Sequence, residues 1–170
     1  MLHGGANTWS DEELSISQSY KDVQLWAQSN SPEDALFMTD PSLGYSWRDY
    51  SRRSSFGTLR EWLFSGWLYE SNFEIYQEGM RRFNYLSINV NNYFHENPPA
   101  LGWHKLRKKV KERYYSFGDD WRMDLASRYG IDYFVMIKGE MNKPSKMPVA
   151  FENQYFVVLS LVPKFPKKGE

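Results

Sequence analysis

Residues 20–53 read YKDVQLWAQSNSPEDALFMTDPSLGYSWRDYSRR, and the fold class is predicted mainly from them. Four apolar residues recur there at helical spacing and predict a helix over residues 17–29: Tyr20, Val23, Trp26 and Ala27. Pro32 ends this helix, because the residue before a proline disfavours helical geometry. The apolar run at 35–39 then predicts a short buried strand. A helix that leads into a buried strand is typical of an α/β domain.

The rest of the chain continues this alternation of helices and strands. Three more helices are predicted at 59–69, 73–86 and 101–117. A further helix starts at Asp119 or Asp120, either of which can cap it, and ends at Gly130. The remaining strands are predicted at 54–58, 132–138, 149–152 and 155–162, the last two joined as a hairpin around Asn153 and Gln154.

These elements predict an α/β fold, a single-domain sandwich with a mixed sheet of about four to five strands flanked by helices. The domain is expected to span residues 16–163, and it contains a helical, aromatic-rich insertion at about 59–117. A flexible N-terminal segment at 1–15 and a flexible tail at 164–170 are expected to flank it.

The composition excludes several classes of function. Lys plus Arg and Asp plus Glu each number 21 in 170 residues, so no net charge attracts nucleic acid, and no nucleic-acid partner is expected. There are no cysteines, which excludes disulfides and thiolate chemistry. The longest apolar run is far shorter than the roughly 20 residues of a membrane-spanning helix. No zinc, calcium, phosphate-loop or dinucleotide motif occurs, so we predict no catalytic residue, metal or cofactor and leave enzymatic activity open.

The loop at 45–53 is the first candidate binding site. It holds four residues suited to an anion or glycan-phosphate contact: Trp47, Arg48, Ser51 and Arg53. Arginine forks bind phosphate or carboxylate in bidentate fashion, and tryptophan faces stack on sugars. A structural role is the favoured interpretation, because an arginine network satisfied within the protein needs no ligand. In that role Arg48 or Arg53 would pair with one of three carboxylates: Asp34, Asp40 or Asp49.

The second candidate is the basic segment HKLRKKVKER at 104–113. Its predicted contact residues are Trp103, Lys105, Lys108 and Lys109. One interpretation is a helix that faces nucleic acid or acidic lipid headgroups. The other is a solvated helix face, which is favoured because Leu106 and Val110 point the opposite way and the chain has no net positive charge.

Several short patterns, in order, resemble a family of bacterial polytopic membrane proteins of uncharacterised function. Trp26, the Asn30-Ser31-Pro32 turn, Asp34-Ala35 and Phe37 are similar to the start of their soluble C-terminal domain. The resemblance continues at Arg48, Ser51 and Arg53, at 129–133, and at Asn153 before an apolar strand. The overall plan of that family is similar to membrane glycosyltransferases that use lipid-linked sugars.

The resemblance implies that this chain is the soluble tail of a longer protein whose membrane helices precede it. It implies an accessory, non-catalytic domain on the extracytoplasmic face of a bacterial membrane, with a role in cell-surface glycan assembly. The implied partners are the membrane-embedded part of the same polypeptide and a glycan or lipid-linked sugar. Two alternatives stay open: a self-contained soluble carbohydrate-active enzyme or sugar-binding module, and a nucleic-acid-binding module that uses the basic helix.

Overall fold

Six α-helices and five strands follow one another in the computed structural model, which describes residues 10–44, 46–68 and 73–161. The helices are α1 (Asp11–Asn30), α2 (Arg48–Ser51), α3 (Leu59–Leu68), α4 (Phe73–Tyr85), α5 (Pro99–Ser116) and α6 (Asp119–Tyr129). The strands are β1 (Leu36–Met38), β2 (Ser54–Ser55), β3 (Tyr133–Ile137), β4 (Val149–Glu152) and β5 (Phe156–Ser160). Single turns of 3-10 helix lie at Val90–Tyr93 and Lys138–Glu140.

The strands form one mixed sheet in the order β2-β1-β3-β5-β4. β1 pairs in parallel with both β2 and β3, whereas β5 pairs antiparallel with β3 and β4. Helices cover both faces, so the predicted single-domain α/β sandwich with a mixed sheet is confirmed. Because β1, β2 and β3 are parallel, their carboxyl ends lie at the same edge of the sheet, where ligands bind in many α/β proteins.

Side chains alternate strictly between two hydrophobic cores. Phe37 of β1 packs with α1 on one face, and the next residue, Met38, packs with the later helices on the other. In β3, Tyr133 and Val135 face α1, while Phe134 and Met136 face the opposite core. This alternation is the two-residue period of a strand buried on both faces.

The predicted insertion at 59–117 forms α3, α4 and α5, and their apolar sides build the larger core. The rings of Trp62 and Phe83 meet edge to face with centroids 5.3 Å apart, beside buried Leu106 and Val110 of α5. The aromatic residues of this region therefore hold the helices on the sheet. None of the described helices is both long and apolar enough to cross a bilayer.

The first helix begins earlier than its apolar spacing predicts. α1 starts at Asp11 rather than at residue 17, so part of the segment expected to be flexible is helical. Ser10 and Glu13 form a reciprocal capping box, in which the Ser10 hydroxyl accepts from the Glu13 amide and the Glu13 carboxylate accepts from the Ser10 amide. Residues 1–9 and the predicted tail at 164–170 lie outside the described residues.

Two predictions about turns are wrong in detail. The N-cap of α6 is Gly118 rather than Asp119 or Asp120, and Asp119 instead binds the loop before β4. The final hairpin turns over residues 153–155 rather than over two residues. There the side-chain Oδ1 of Asn153 accepts from the Phe156 amide at 2.9 Å, which delays the start of β5.

Candidate anion-binding cleft

A cleft of about 400 Å³ opens at the carboxyl edge of the sheet. The loop after β1, the end of β2, the start of α3 and the middle of α5 form its walls. Five side chains define what we call the arginine cleft: Arg48, Arg60, Glu61, Trp103 and Arg107. Two of the residues predicted as contacts, Arg48 and Trp103, thus come together although 55 positions separate them in sequence (103 − 48).

The three arginine side chains retain nitrogen donors that bind no described residue. The Arg48 side chain is exposed and forms no hydrogen bond or ion pair with a described residue. Arg107 donates from Nε to the carbonyl oxygen of Ser42 at 2.9 Å, which fixes its position while its terminal nitrogens bind no described residue. Arg60 lies over the Phe64 ring, 5.5 Å from its centroid. Guanidinium groups held this way suit phosphate or carboxylate.

Glu61 is the one carboxylate among the described residues that line the cleft, and it caps the start of α3. Glu61 accepts from the amide of Thr58 at 2.6 Å, and the Thr58 hydroxyl accepts from the amide of Glu61 at 3.3 Å. This is the reciprocal capping arrangement at the N-terminus of α3. With three arginines and one engaged glutamate, the lining has an excess of positive charge.

Trp47 and Ser51 support the cleft wall. Trp47 is buried against Phe37, with ring centroids 4.9 Å apart, and also lines the cleft. Its Nε1 finds no acceptor among the described residues. Ser51 is buried and donates to the Trp47 carbonyl oxygen at 2.6 Å, which closes the short helix α2. These contacts hold the loop against the sheet and present Arg48 at its surface.

Arg53 lies elsewhere, and its expected pairing with Asp34, Asp40 or Asp49 is wrong. It is buried, and it donates to the carbonyl oxygens of Gln28 at 2.7 Å and Ser31 at 2.9 Å. These carbonyls belong to the end of α1, whose last turn contains no basic residue of its own. Arg53 therefore supplies the cation that a helix C-terminus favours.

The lysines of the basic segment are mostly paired on the surface. Lys105 lies 2.6 Å from Glu96, and Lys109 lies 3.5 Å from Glu112. Lys108 is exposed and lines a smaller pocket of about 300 Å³ that adjoins the arginine cleft through Arg107. The pairing leaves less free positive charge for nucleic acid than the sequence pattern indicates.

Asp40 lines this smaller pocket, and the sequence, which offered it only as an ion-pair partner for an arginine, did not predict its burial. It is fully buried, and its Oδ1 accepts from the amide and hydroxyl of Ser42 at 2.8 and 2.7 Å. Its Oδ2 accepts no hydrogen bond from a described residue. Burial raises the pKa of Asp40, although Ser42, the Tyr115 hydroxyl and the Lys111 ammonium act in the opposite direction.

A second cleft of about 480 Å³ borders the first, with Arg48 and Glu61 on both linings. It contains two further glutamates, Glu74 and Glu78. Glu78 is 2.9 Å from Arg82, so this carboxylate is ion-paired. Within the described part of the chain, no three histidine, aspartate or glutamate side chains are grouped as metal ligands would be.

Comparison of the chain with models of protein families, with curated proteins and with solved structures gives no match. The resemblance to a family of membrane proteins therefore stays a prediction.

Proposed function

We propose that this chain is an accessory, non-catalytic binding domain that holds an anionic sugar ligand, such as a sugar phosphate, in the arginine cleft. One observation carries the proposal: Arg48, Arg60 and Arg107 converge with Trp103 at the carboxyl ends of parallel strands, and Arg48 binds no described residue. Arginine forks match phosphate oxygens, and an aromatic face can stack on a sugar ring. The position at the sheet edge is where α/β folds bind ligands.

The resemblance extends this proposal to a cellular setting. The domain would belong to a bacterial polytopic membrane protein, face the extracytoplasmic side and position a glycan or lipid-linked sugar for the membrane-embedded part during cell-surface glycan assembly. Fractionation of the native gene product, detected with an antibody to this domain, tests the setting. Retention in the membrane after a high-salt wash supports it, and a soluble species of the mass of this chain contradicts it.

Isothermal titration of the chain with glucose 1-phosphate at low ionic strength tests the binding site itself. We expect measurable binding that weakens as salt is added, because the contacts are charged and partly exposed. Arg48→Ala should weaken binding by about 10- to 100-fold, the usual loss for a hydrogen bond to a charged group. Arg128→Ala is the matched control, because Arg128 is exposed on α6 and pairs with Asp124 away from the cleft.

A carbohydrate-active enzyme is the second candidate, because Glu61, Glu74 and Glu78 line the second cleft together with Arg48. Glycoside hydrolysis requires two carboxyl groups on either side of the scissile bond. In this structure Glu61 binds the Thr58 amide and Glu78 binds Arg82, so both carboxylates are engaged. Hydrolysis of a glycoside panel by the isolated chain, abolished in Glu74→Gln, would establish this candidate and overturn the non-catalytic proposal.

A further inference from the structure

A large apolar cavity lies next to the arginine cleft. It measures about 490 Å³ and lies between α3, α4 and α5. We call it the aromatic cavity. The residues that line it include Leu63, Phe64, Met80, Tyr93, Phe94 and Leu106. Cavities of roughly 300–1,000 Å³ with apolar and aromatic walls are typical binding sites for small molecules.

The rim of the aromatic cavity leaves large rings in contact with solvent. Phe94 is 60% exposed, Tyr76 is 40% exposed and Phe64 is 38% exposed. Single exposed aromatic residues are common on protein surfaces, but these three all line one cavity. An apolar group that enters the cavity would cover them and remove their surface from water.

The aromatic cavity and the arginine cleft share a wall. Trp103 lines both of them. Arg60 of the cleft also lies over the ring of Phe64, which belongs to the cavity. Positive charge and apolar surface therefore adjoin at two places, once on α5 and once on α3.

From this juxtaposition we propose that one single-chain amphiphile occupies both sites, with a phosphate-bearing head in the arginine cleft and an alkyl chain in the aromatic cavity. The inference rests on the proposed function, because the cleft must accept the anionic head. Charge complementarity selects the head, since the three arginines outnumber the single glutamate of the lining. The apolar walls of the cavity favour the alkyl chain of the ligand over a polar group, because they offer few groups that could form hydrogen bonds with it.

Calorimetric titration with alkyl phosphates below their critical micelle concentrations tests the inference. The probes are methyl, butyl, hexyl and octyl phosphate, with octanol as the chain without the head and glucose 1-phosphate as the head without the chain. We expect affinity to rise about fourfold for each methylene that is buried, until the cavity is filled. Octyl phosphate should bind at least 100-fold more tightly than methyl phosphate and than octanol.

Two variants separate the halves of the site. Phe94→Ser should flatten the dependence on chain length and leave methyl phosphate binding unchanged, because Phe94 lines only the cavity. Leu25→Ser is the matched control, since Leu25 is 41% exposed on α1, which covers the other face of the sheet. Both positions are exposed, so thermal unfolding should show that both variants remain folded.

The outcomes distinguish the two proposals. Binding of glucose 1-phosphate and methyl phosphate without any gain from a longer chain overturns the amphiphile and leaves the proposed function standing. If octanol binds as tightly as octyl phosphate, the phosphate head contributes nothing to binding. That result overturns the proposal that one ligand occupies both sites. No binding by any probe overturns both proposals.

Discussion

Arg53 donates two hydrogen bonds to Ser31, from Nη2 to the carbonyl oxygen at 2.9 Å and from Nε to the hydroxyl oxygen at 3.1 Å. The same guanidinium reaches the carbonyl oxygen of Gln28 at 2.7 Å. A residue beside β2 thus completes the end of α1, and the planar fork of arginine satisfies several acceptors in a way that one ammonium group cannot.

We expect Arg53→Lys to destabilise the protein by about 2 kcal/mol and Arg53→Ala by about 3 kcal/mol, because buried carbonyls lose a charged donor. Urea unfolding followed by circular dichroism measures both. Arg52→Ala is the matched control, because Arg52 is exposed, and the backbone carbonyl through which it contacts Arg53 is retained. Equal stability of the Arg53→Ala and Arg52→Ala variants would show that the helix end needs no capping cation.

Asp40 makes stability depend on pH in a predictable direction. Burial raises its pKa, so the native state keeps its proton at pH values where the unfolded chain has lost it. Stability contributed by the protonated form is present below the unfolded pKa, near 4, and is lost as pH rises through the native pKa. We expect Asp40→Asn to match the wild type at pH 4 and to exceed it by about 1 kcal/mol or more at pH 8.

Chemical denaturation at a series of pH values measures this difference. Asp49→Asn is the control, because Asp49 is an exposed carboxylate on α2. An Asp40→Asn variant less stable than the wild type at pH 8 would contradict the assignment of Asp40 as a costly buried acid.

Asp119 should have the opposite pH dependence. Burial raises its pKa, but hydrogen bonds from the Lys146 amide, the Ser145 hydroxyl and Arg122 outweigh burial and hold the pKa below its usual value. The stability it contributes is present above the unfolded pKa, near 4, and is lost as pH falls through the native pKa. Asp119→Asn should cost about 2 kcal/mol at pH 7, because it leaves buried Arg122 without its carboxylate.

The neighbouring Asp120→Asn variant provides the comparison, since Asp120 is exposed. The difference in unfolding free energy between the two variants should be smaller at pH 3 than at pH 7. A loss that persists undiminished at pH 3 would assign the effect to something other than the charge of Asp119.

Gly102 marks a close approach between α5 and the turn at Val90–Tyr93. A Cβ at this position would overlap the carbonyl oxygen of Tyr93, which is a backbone atom and cannot move aside cheaply. We expect Gly102→Ala to destabilise the protein by about 1–3 kcal/mol, the usual cost of an overpacked site. Gly139→Ala should be nearly neutral, because no atom lies within 4 Å of its Cβ position. Similar melting temperatures for the two variants would contradict this close contact.

Periodic patterns in the sequence predict the fold because they reflect burial directly. The spacing of Tyr20, Val23 and Ala27 indicates one face of α1, and all three are buried in the structure. The start of α1 was missed because it depends on the polar capping box of Ser10 and Glu13, which adds no apolar residue to the pattern. An S-x-x-E pattern before a helix was the signal available in the sequence.

The candidate site could be predicted only in part, because contacts distant in sequence assemble it. The chemistry of Arg48 and Trp103 predicts that each can contact a ligand. They line the same cleft only because α5 packs beside the loop after β1. Arg107 is fixed by a bond to Ser42, 65 positions earlier in the chain, which no local pattern reveals. Arg53 donates to the carbonyl oxygens at the end of α1 rather than to a carboxylate. Residue types alone do not predict which of these acceptors it binds.

The proposed function depends on the binding of an anionic sugar ligand in the arginine cleft. The most direct test is a titration of the isotopically labelled chain with glucose 1-phosphate, followed by amide chemical shifts in two-dimensional NMR. Saturable shifts should concentrate at residues 41–44, 46–48, 55–61 and 103–107, which contain the residues that line the cleft, and should be lost in Arg48→Ala. An absence of shifts at millimolar ligand, or shifts confined to residues outside these segments, would contradict the claim.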